Sequence, residues 1–284
     1  MTPQDYDYIR KLLRERSGLV LSAEKQYLVE SRLLPVVRKA GLTNLAELVT
    51  ALKAVPHSSL SSTVVEAMTT NESFFFRDKL PFENFRETLM PALLNARGQE
   101  RHIRIWCAAA ATGQEPYSLA MALREMGSKL AGWNIEIFAT DISQAALEKA
   151  KAGLYSQFEV QRGLPIQMLV KYFTQIGDQW QIFPEIRAMV TWRHFNLLQD
   201  FSAFGFFDIV FCRNVLIYFD QDTKIGVLNR LAKAMRHDSY LMLGAAETVV
   251  GLTTAFKPMA DHRGVYVPNP NPAPSKVLQF AAAS

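Results

Sequence analysis

Arg104-Ile105-Trp106-Cys107-Ala108-Ala109-Ala110-Ala111-Thr112-Gly113-Gln114-Glu115-Pro116-Tyr117-Ser118-Leu119-Ala120 is the stretch that decides the fold. It reads as a buried strand, a turn of very small residues and the start of a helix. A strand feeding a helix through such a turn is how doubly wound α/β sheets bring a nucleotide-like ligand against bare backbone. The G-x-G-x-x-G pattern of dinucleotide enzymes is absent, because alanines fill the turn and only Gly113 remains. That argues against a pyrophosphate and for a smaller nucleoside with an amino-acid tail, whose amine Glu115 is placed to take.

Downstream and upstream of this turn the pattern repeats. Residues 102–108, 134–140, 207–212 and 239–245 are apolar runs of strand length, with helical patterns at 115–129, 143–151 and 220–236. Alternation of this kind predicts a mostly parallel sheet with helices on its faces. Residues 152–195 break the rhythm: Gly153, Gly163-Leu164-Pro165 and Gly177-Asp178 punctuate β-rich runs at 179–183 and 189–195. They predict a small antiparallel β insert, about 152–190, that ends by returning to the main sheet. The first part of the chain is helical by period. Thr2-Pro3 opens a helix that ends at Gly18. Ser22 opens a second, with Glu24 in its first turn, that ends at Gly41 and is kinked or interrupted at Pro35. Thr43 and Ser58 or Ser59 are expected to cap two shorter helices. The expected organisation is a small all-α domain over 1–75, an α/β domain over 76–267, and a proline-rich tail over 268–284 too thinly apolar to pack.

Composition sets bounds. The 284 residues are long enough for two domains or for one large domain with an attachment, the 49 % apolar content suits a substantial core, and the net charge of +4 is too mild for wholesale nucleic-acid binding. Cys107 and Cys212 end apolar runs and read as buried, inert thiols rather than a disulfide framework. His57, His102, His194, His237 and His262 lack metal-ligand spacing, so no metal is expected. Met1 to Asp5 lacks the build of a signal peptide, and no apolar run approaches the ~20 residues of a membrane helix. The expectation is a soluble cytoplasmic protein without membrane insertion.

Several polar residues fall at the carboxyl ends of the predicted strands, where such sheets bind ligands. Asp141 ends the second strand and can bond both ribose hydroxyls, or it can be the N-cap of the helix starting at Ser143. Asn196 can offer an amide to an adenine edge or be an ordinary turn residue. Arg213-Asn214 follow Phe207 to Cys212, and Tyr218 sits in Val215-Leu216-Ile217-Tyr218-Phe219, by default a core residue. Thr69-Thr70-Asn71-Glu72-Ser73-Phe74-Phe75-Phe76-Arg77 is the other unusual segment. Its three rings are either an inter-domain plug with Arg77 exposed, or an apolar wall with Arg77 held inside a site to grip a carboxylate.

Thr-Thr-Asn-Glu-x-Phe-Phe-Phe-Arg, Ala-Thr-Gly-Gln-Glu-Pro-Tyr-Ser, Ala-Thr-Asp-Ile, Phe-Asn-Leu and Phe-Cys-Arg-Asn-Val-Leu-Ile-Tyr-Phe stand in an order that resembles the CheR family of chemotaxis receptor glutamate methyltransferases. The resemblance covers nearly the whole chain, to about Val267. It implies an α/β, doubly wound, Rossmann-like S-adenosylmethionine methyltransferase domain with a small antiparallel β insert, preceded by an all-α domain that helps dock the receptor. S-adenosyl-L-methionine is then the methyl donor, S-adenosylhomocysteine the product, and glutamates on a chemoreceptor's cytoplasmic helical bundle the acceptors. Carried over by position, Asn71, Ser73 and Arg77 belong to the cofactor and acceptor side, Glu115 takes the methionine amine and Asp141 the ribose. Asn196, Leu197, Arg213 and Asn214 complete the cofactor pocket, and Arg77 and Tyr218 flank the reacting groups. Gln114, Ser73 and Gly244-Ala245-Ala246-Glu247 depart from the commonest pattern without removing a group the chemistry needs. The segment between Tyr172-Phe173 and Asn196 is compact beside enterobacterial members, which points to docking without a receptor C-terminal tether peptide.

A glutamate acceptor is already ionised near neutral pH, so no general base is required. Charge cancels when carboxylate meets sulfonium, which favours an apolar site, here assigned to Phe74 to Phe76. Lys25, Arg32 and Lys39 recur at seven-residue spacing with Arg38 beside them. This stripe is either a solvated face or a docking surface for acidic receptor helices. A monomer acting at membrane receptor arrays is expected. The competing readings are a methyltransferase of the same fold with another substrate, against which the Asn/Asp-Pro-Pro-Tyr signature of DNA amino-methylating enzymes is absent, and a non-catalytic binder of adenosylmethionine or its product.

Overall fold

A computed structural model describes residues 1–272. Local chemistry sets the N-terminal helices. In α1 (Pro3–Ser17) the Thr2 hydroxyl accepts from Asp5 N–H while the Asp5 carboxylate accepts from Thr2 N–H, a reciprocal cap at the helix start. A single 3-10 turn, Ala23–Lys25, then leads into α2 (Gln26–Lys39), and Ser22 flanks that turn without a side-chain capping bond. α2 runs through Pro35 without the interruption that was one of the two expectations there. The carbonyl that loses its partner there belongs to exposed Ser31, while Val29, Leu33, Val36 and Val37 hold the buried face. The cap of α3 (Leu45–Ala54) is Asn44, one residue after Thr43, which instead bonds the Glu47 carboxylate. Ser58 caps α4 (Ser59–Met68). These helices enclose a core of their own around Ile9, Leu13, Leu33, Leu48 and Val64.

A strap of residues 69–79 then leads to α5 (Leu80–Asn84), a π turn (Phe85–Leu89) and α6 (Met90–Ala96). Beyond it the chain alternates: β1 (His102–Cys107), α7 (Gln114–Met126), β2 (Asn134–Asp141) and α8 (Gln144–Ala152). The insert follows, made of β3 (Leu154–Ser156), α9 (Gln157–Gln161), α10 (Ile166–Tyr172), β4 (Phe173–Ile176), β5 (Gln179–Ile182) and α11 (Pro184–Arg187). The chain returns to the main sheet with β6 (Val190–His194), then β7 (Phe207–Cys212), α12 (Gln221–Lys233), β8 (Met235–Leu243), β9 (Phe256–Pro258) and β10 (Val265–Pro268).

The seven-stranded sheet has the order β6-β2-β1-β7-β8-β10-β9, and a separate antiparallel sheet has the order β3-β5-β4. The first five strands of the main sheet are parallel; β10 and β9 add antiparallel at one edge. Alternation along β1 feeds both faces: Ile103, Ile105 and Cys107 enter one core, Trp106 and Ala108 the other. Each face therefore carries its own apolar layer, as a doubly wound sheet requires. The α12 helix ends at Lys233 and β8 begins at Met235, earlier than the apolar run implied. Pro268 and Asn269, expected in an unpacked tail, are ordered: Pro268 pairs with Phe256, and Asn269 N–H donates to Ala255 O at 2.8 Å. Residues 273–284 of that tail lie outside the described residues. No helix among the described residues is long and apolar enough to cross a membrane.

Candidate active site

The site is built where β1, β2, β6 and β7 end. Ala108 N–H donates to Phe211 O, Ala110 N–H to Thr140 O, and Ala111 N–H to Asp141 Oδ2 at 2.8 Å, so the alanine turn is sewn to the strands on either side. Ala108, Ala109 and Ala111 line a pocket that opens above these strand ends. Gly113 does not line it; a Cβ there would meet Ala150, Trp192 and Tyr155 instead.

Asn71, Ser73, Arg77, Glu115, Asp141, Asn196, Leu197, Arg213, Asn214 and Tyr218, named from the sequence, all line this one pocket. Asp141 is buried and bonds backbone N–H groups of Ala111 and Ser143, each at 2.8 Å. It is not a helix cap: Ser143 caps α8. Burial pushes its carboxyl up, opposed by those N–H groups. Glu115, in the first turn of α7, is likewise raised by burial and held back by Arg213, whose Nη1 donates to Oε2 at 2.6 Å. Nη2 of Arg213 donates to Arg77 O at 3.0 Å and to Asp78 Oδ2 at 2.7 Å. Arg213 is 1 % exposed at its side chain, so this is a buried tie between the strap and α7.

Asn196 is engaged at both ends of its amide. Its Nδ2 donates to Arg16 O at 2.6 Å and its Oδ1 accepts from Leu198 N–H at 3.0 Å. The side-chain donor expected for an adenine edge is thus turned to α1. Five residues at or beside the pocket with left-handed backbone, Phe76, Asp78, Lys79, Ala111 and Asn214, are not glycine. Such conformations cost about 1–3 kcal/mol each and persist where the surroundings dictate them.

The three phenylalanines are not the pocket wall. Phe75 is fully buried against Tyr155 and Phe173, Phe76 packs on Phe82, and Phe74 has the guanidinium groups of Arg77 and Arg162 over its ring. Ordinary aromatic burial explains Phe75 and Phe76, whose rings anchor the strap. Arg77 itself lines the pocket and donates to Glu72 O at 3.0 Å. The apolar lining comes instead from Leu19, Ile142, Phe195, Leu197, Val215 and Phe219. Both cysteines are buried, and burial pushes their thiols well up. No group of three or more His, Cys, Asp or Glu side chains able to hold a metal occurs among the described residues.

Sequence reasoning missed the share taken by the N-terminal helices. Ser17 and Leu19 line the pocket, Val20 N–H donates to Tyr218 O, and Arg14 pairs with Asp220. Glu66 of α4 accepts from Ser143 Oγ and Ala145 N–H, a carboxylate at the N-terminus of α8 where the helix dipole favours it. Arg32 departs from its expected docking stripe: it donates to Met68 O, Thr69 O and Thr70 Oγ1, pinning the start of the strap. Lys25, Arg38 and Lys39 remain exposed.

Two family descriptions match the chain: "CheR methyltransferase, SAM binding domain" over residues 71–265 and "CheR methyltransferase, all-alpha domain" over residues 4–69. The chain belongs to the CheR methyltransferase family. Chemotaxis protein methyltransferase 1 of Pseudomonas aeruginosa is 41 % identical over 89 % of this chain and 93 % of its own. The chemotaxis protein methyltransferase of Vibrio anguillarum is 39 % identical over 93 % and 96 %, and that named Cher2 of Pseudomonas putida 40 % over 89 % and 93 %. S-adenosylmethionine is accordingly the cofactor of this CheR methyltransferase, and methylation in chemotaxis its activity. The residues fit that cofactor: two buried carboxylates, Asp141 at the end of β2 and Glu115 in the first turn of α7, line the pocket beside a turn whose alanines allow close approach.

Proposed function

We propose that this CheR methyltransferase forms methyl esters on glutamate side chains of the cytoplasmic helices of membrane chemoreceptors. The observation that carries the reading is the gathering of Glu115, Asp141, Arg77 and Tyr218 around one pocket. S-adenosylmethionine, when bound, supplies a methyl on a sulfonium, an electrophile that needs no activation. Glu115, its carboxyl held down by Arg213 against the upward push of burial, would hold the methionine ammonium, and Asp141 the ribose hydroxyls. Asn71, Ser73, Asn196, Leu197, Arg213 and Asn214 would complete the cofactor wall, Asn196 through its position and backbone and Arg213 through Glu115. Arg77 would orient the acceptor carboxylate, and Tyr218 would flank it. A glutamate with a reference pKa of about 4.3 arrives ionised, so the chain's own task is positioning and exclusion of water. Leu19, Ile142, Phe195, Val215 and Phe219 supply the dry lining.

Exposed Lys25, Arg38 and Lys39 on and beside α2 would meet acidic receptor helices, with the chain acting as a cytoplasmic monomer. Docking would not need a tether peptide at the receptor C-terminus, a reading supported by the compact insert. The experiment is transfer of labelled methyl from S-adenosylmethionine to purified receptor cytoplasmic domains, with the C-terminal peptide present or removed. Base-labile label on receptor glutamates, indifferent to the peptide, is expected. Cofactor binding with no label on any receptor would refute the substrate; label lost with the peptide would refute tether independence.

A further inference from the structure

The loop that joins β7 to α12 carries Arg213, Asn214, Val215 and Tyr218 to the pocket wall, yet a residue outside the pocket holds its shape. Glu247, buried after β8, receives backbone N–H groups on both carboxylate oxygens. Oε1 accepts from Val215 at 2.9 Å, Leu216 at 2.7 Å and Ile217 at 3.3 Å. Oε2 accepts from Asn214 at 2.8 Å and Gly244 at 2.7 Å. Successive N–H groups that converge in this way form an anion-binding nest. Here the anion is the protein's own carboxylate, and Glu247 is not among the residues that line the pocket.

Two further features show a built device. Asn214 has φ of 58°, the left-handed region, which turns its N–H toward Glu247. Gly244 makes room for the clamp: a Cβ there would lie 2.8 Å from Glu247 Oε2 and 2.8 Å from Asn214 Nδ2. Hydrogen bonds to a charged acceptor are stronger than neutral ones, and an N–H left buried without its acceptor costs its full desolvation. The loop geometry is therefore tied to the presence of a carboxylate at this position.

We infer that Glu247 is a positioning residue for methyl transfer, a built-in anion that sets the 213–218 loop so that Asn214 and Tyr218 meet cofactor and acceptor. A glutamine at 247 keeps the shape but turns one acceptor end into a donor. Whichever way the amide lies, at least two of the five N–H groups then face another donor.

The test is Glu247→Gln in the full chain, at a temperature where circular dichroism shows it folded. S-adenosylhomocysteine is titrated by calorimetry, and turnover is measured on receptor cytoplasmic domain at saturating S-adenosylmethionine. The expected result is a Kd raised about tenfold or more and kcat lowered about tenfold or more, with receptor KM within about twofold. Leu231→Ala, a core change in α12 outside the pocket lining, is the control for stability alone and should leave both constants unchanged. A folded Glu247→Gln with Kd and kcat both within about twofold of the parent would overturn the inference. If that variant does not fold, Glu247→Asp, which withdraws the carboxylate by one methylene, is read the same way. The S-adenosylhomocysteine titration does not depend on the acceptor, so failure of the receptor-glutamate reading and failure of the clamp are distinguished.

Discussion

Replacing Arg213 by methionine would remove the cation that ties Glu115 to the strap while roughly keeping its volume. The Arg213 side chain is 1 % exposed and that of Glu115 10 %, with 2.6 Å between them. Breaking a buried pair by removing one partner costs about 3–5 kcal/mol, because the other charge is left without compensation. The contact with Asp78, whose side chain is 39 % exposed, adds little once solvent screening is counted. A melting temperature lower by on the order of 10 °C near pH 8 is the expected size. The pH dependence sharpens the test. Burial already raises the Glu115 carboxyl, and Arg213 is the chief influence holding it down. A carboxyl raised in the folded state contributes stability that is complete below its unfolded value and is lost as pH rises through its folded value. Without Arg213 the folded value climbs further, so the deficit of Arg213→Met should be largest near pH 8 and shrink on acidification toward about pH 5. S-adenosylhomocysteine binding should weaken along with it, since a protonated Glu115 no longer attracts an ammonium. Calorimetric unfolding of parent and variant across that range is the assay. A deficit that is the same at both ends, or that stays under about 1 kcal/mol throughout, would refute the assignment of Arg213 as the compensating charge.

Three further outcomes follow from particular contacts. Gly163→Ala would place a Cβ 2.1 Å from Phe75 O at a φ of 85°, and should destabilise the fold by more than about 2 kcal/mol in urea unfolding. Arg32→Ala deletes the bonds to Met68, Thr69 and Thr70, two of which line the pocket, so the S-adenosylhomocysteine Kd should rise severalfold. A change confined to receptor KM would instead return Arg32 to the docking surface. Simultaneous Lys25→Glu, Arg38→Glu and Lys39→Glu should raise receptor KM with cofactor affinity intact, and an unchanged KM would remove α2 as the docking face.

The parallel sheet was legible because its strands are buried on both faces and read as largely apolar runs, as Ile209 to Cys212 does. The antiparallel strands β9 and β10 were not, since they have three and four residues, too short for a pattern to stand out from a loop. The strand-end residues came together in one pocket because position in a doubly wound sheet fixes where they point. Phe74 to Phe76 misled because adjacent rings on a strap diverge, and the sequence does not say which neighbour takes each. Asn196 and Arg32 carried the expected groups, but partners distant in sequence, Arg16 and Thr70 among them, had already claimed those groups. Glu247 was noticed only within a segment departing from the family pattern, with no role: one acid after a small-residue turn looks like any exposed loop acid until the N–H groups it gathers are seen.

Ser17, Leu19 and Thr69 belong to the N-terminal helical part of the chain yet border the cofactor's cavity. Cut loose from those helices, the sheet would keep its strands and present a trough with one side missing. Transplanting the methyl-transfer chemistry of this protein onto a new targeting module would therefore require α1 to α4 to travel with it as part of the vessel rather than as an interchangeable address label.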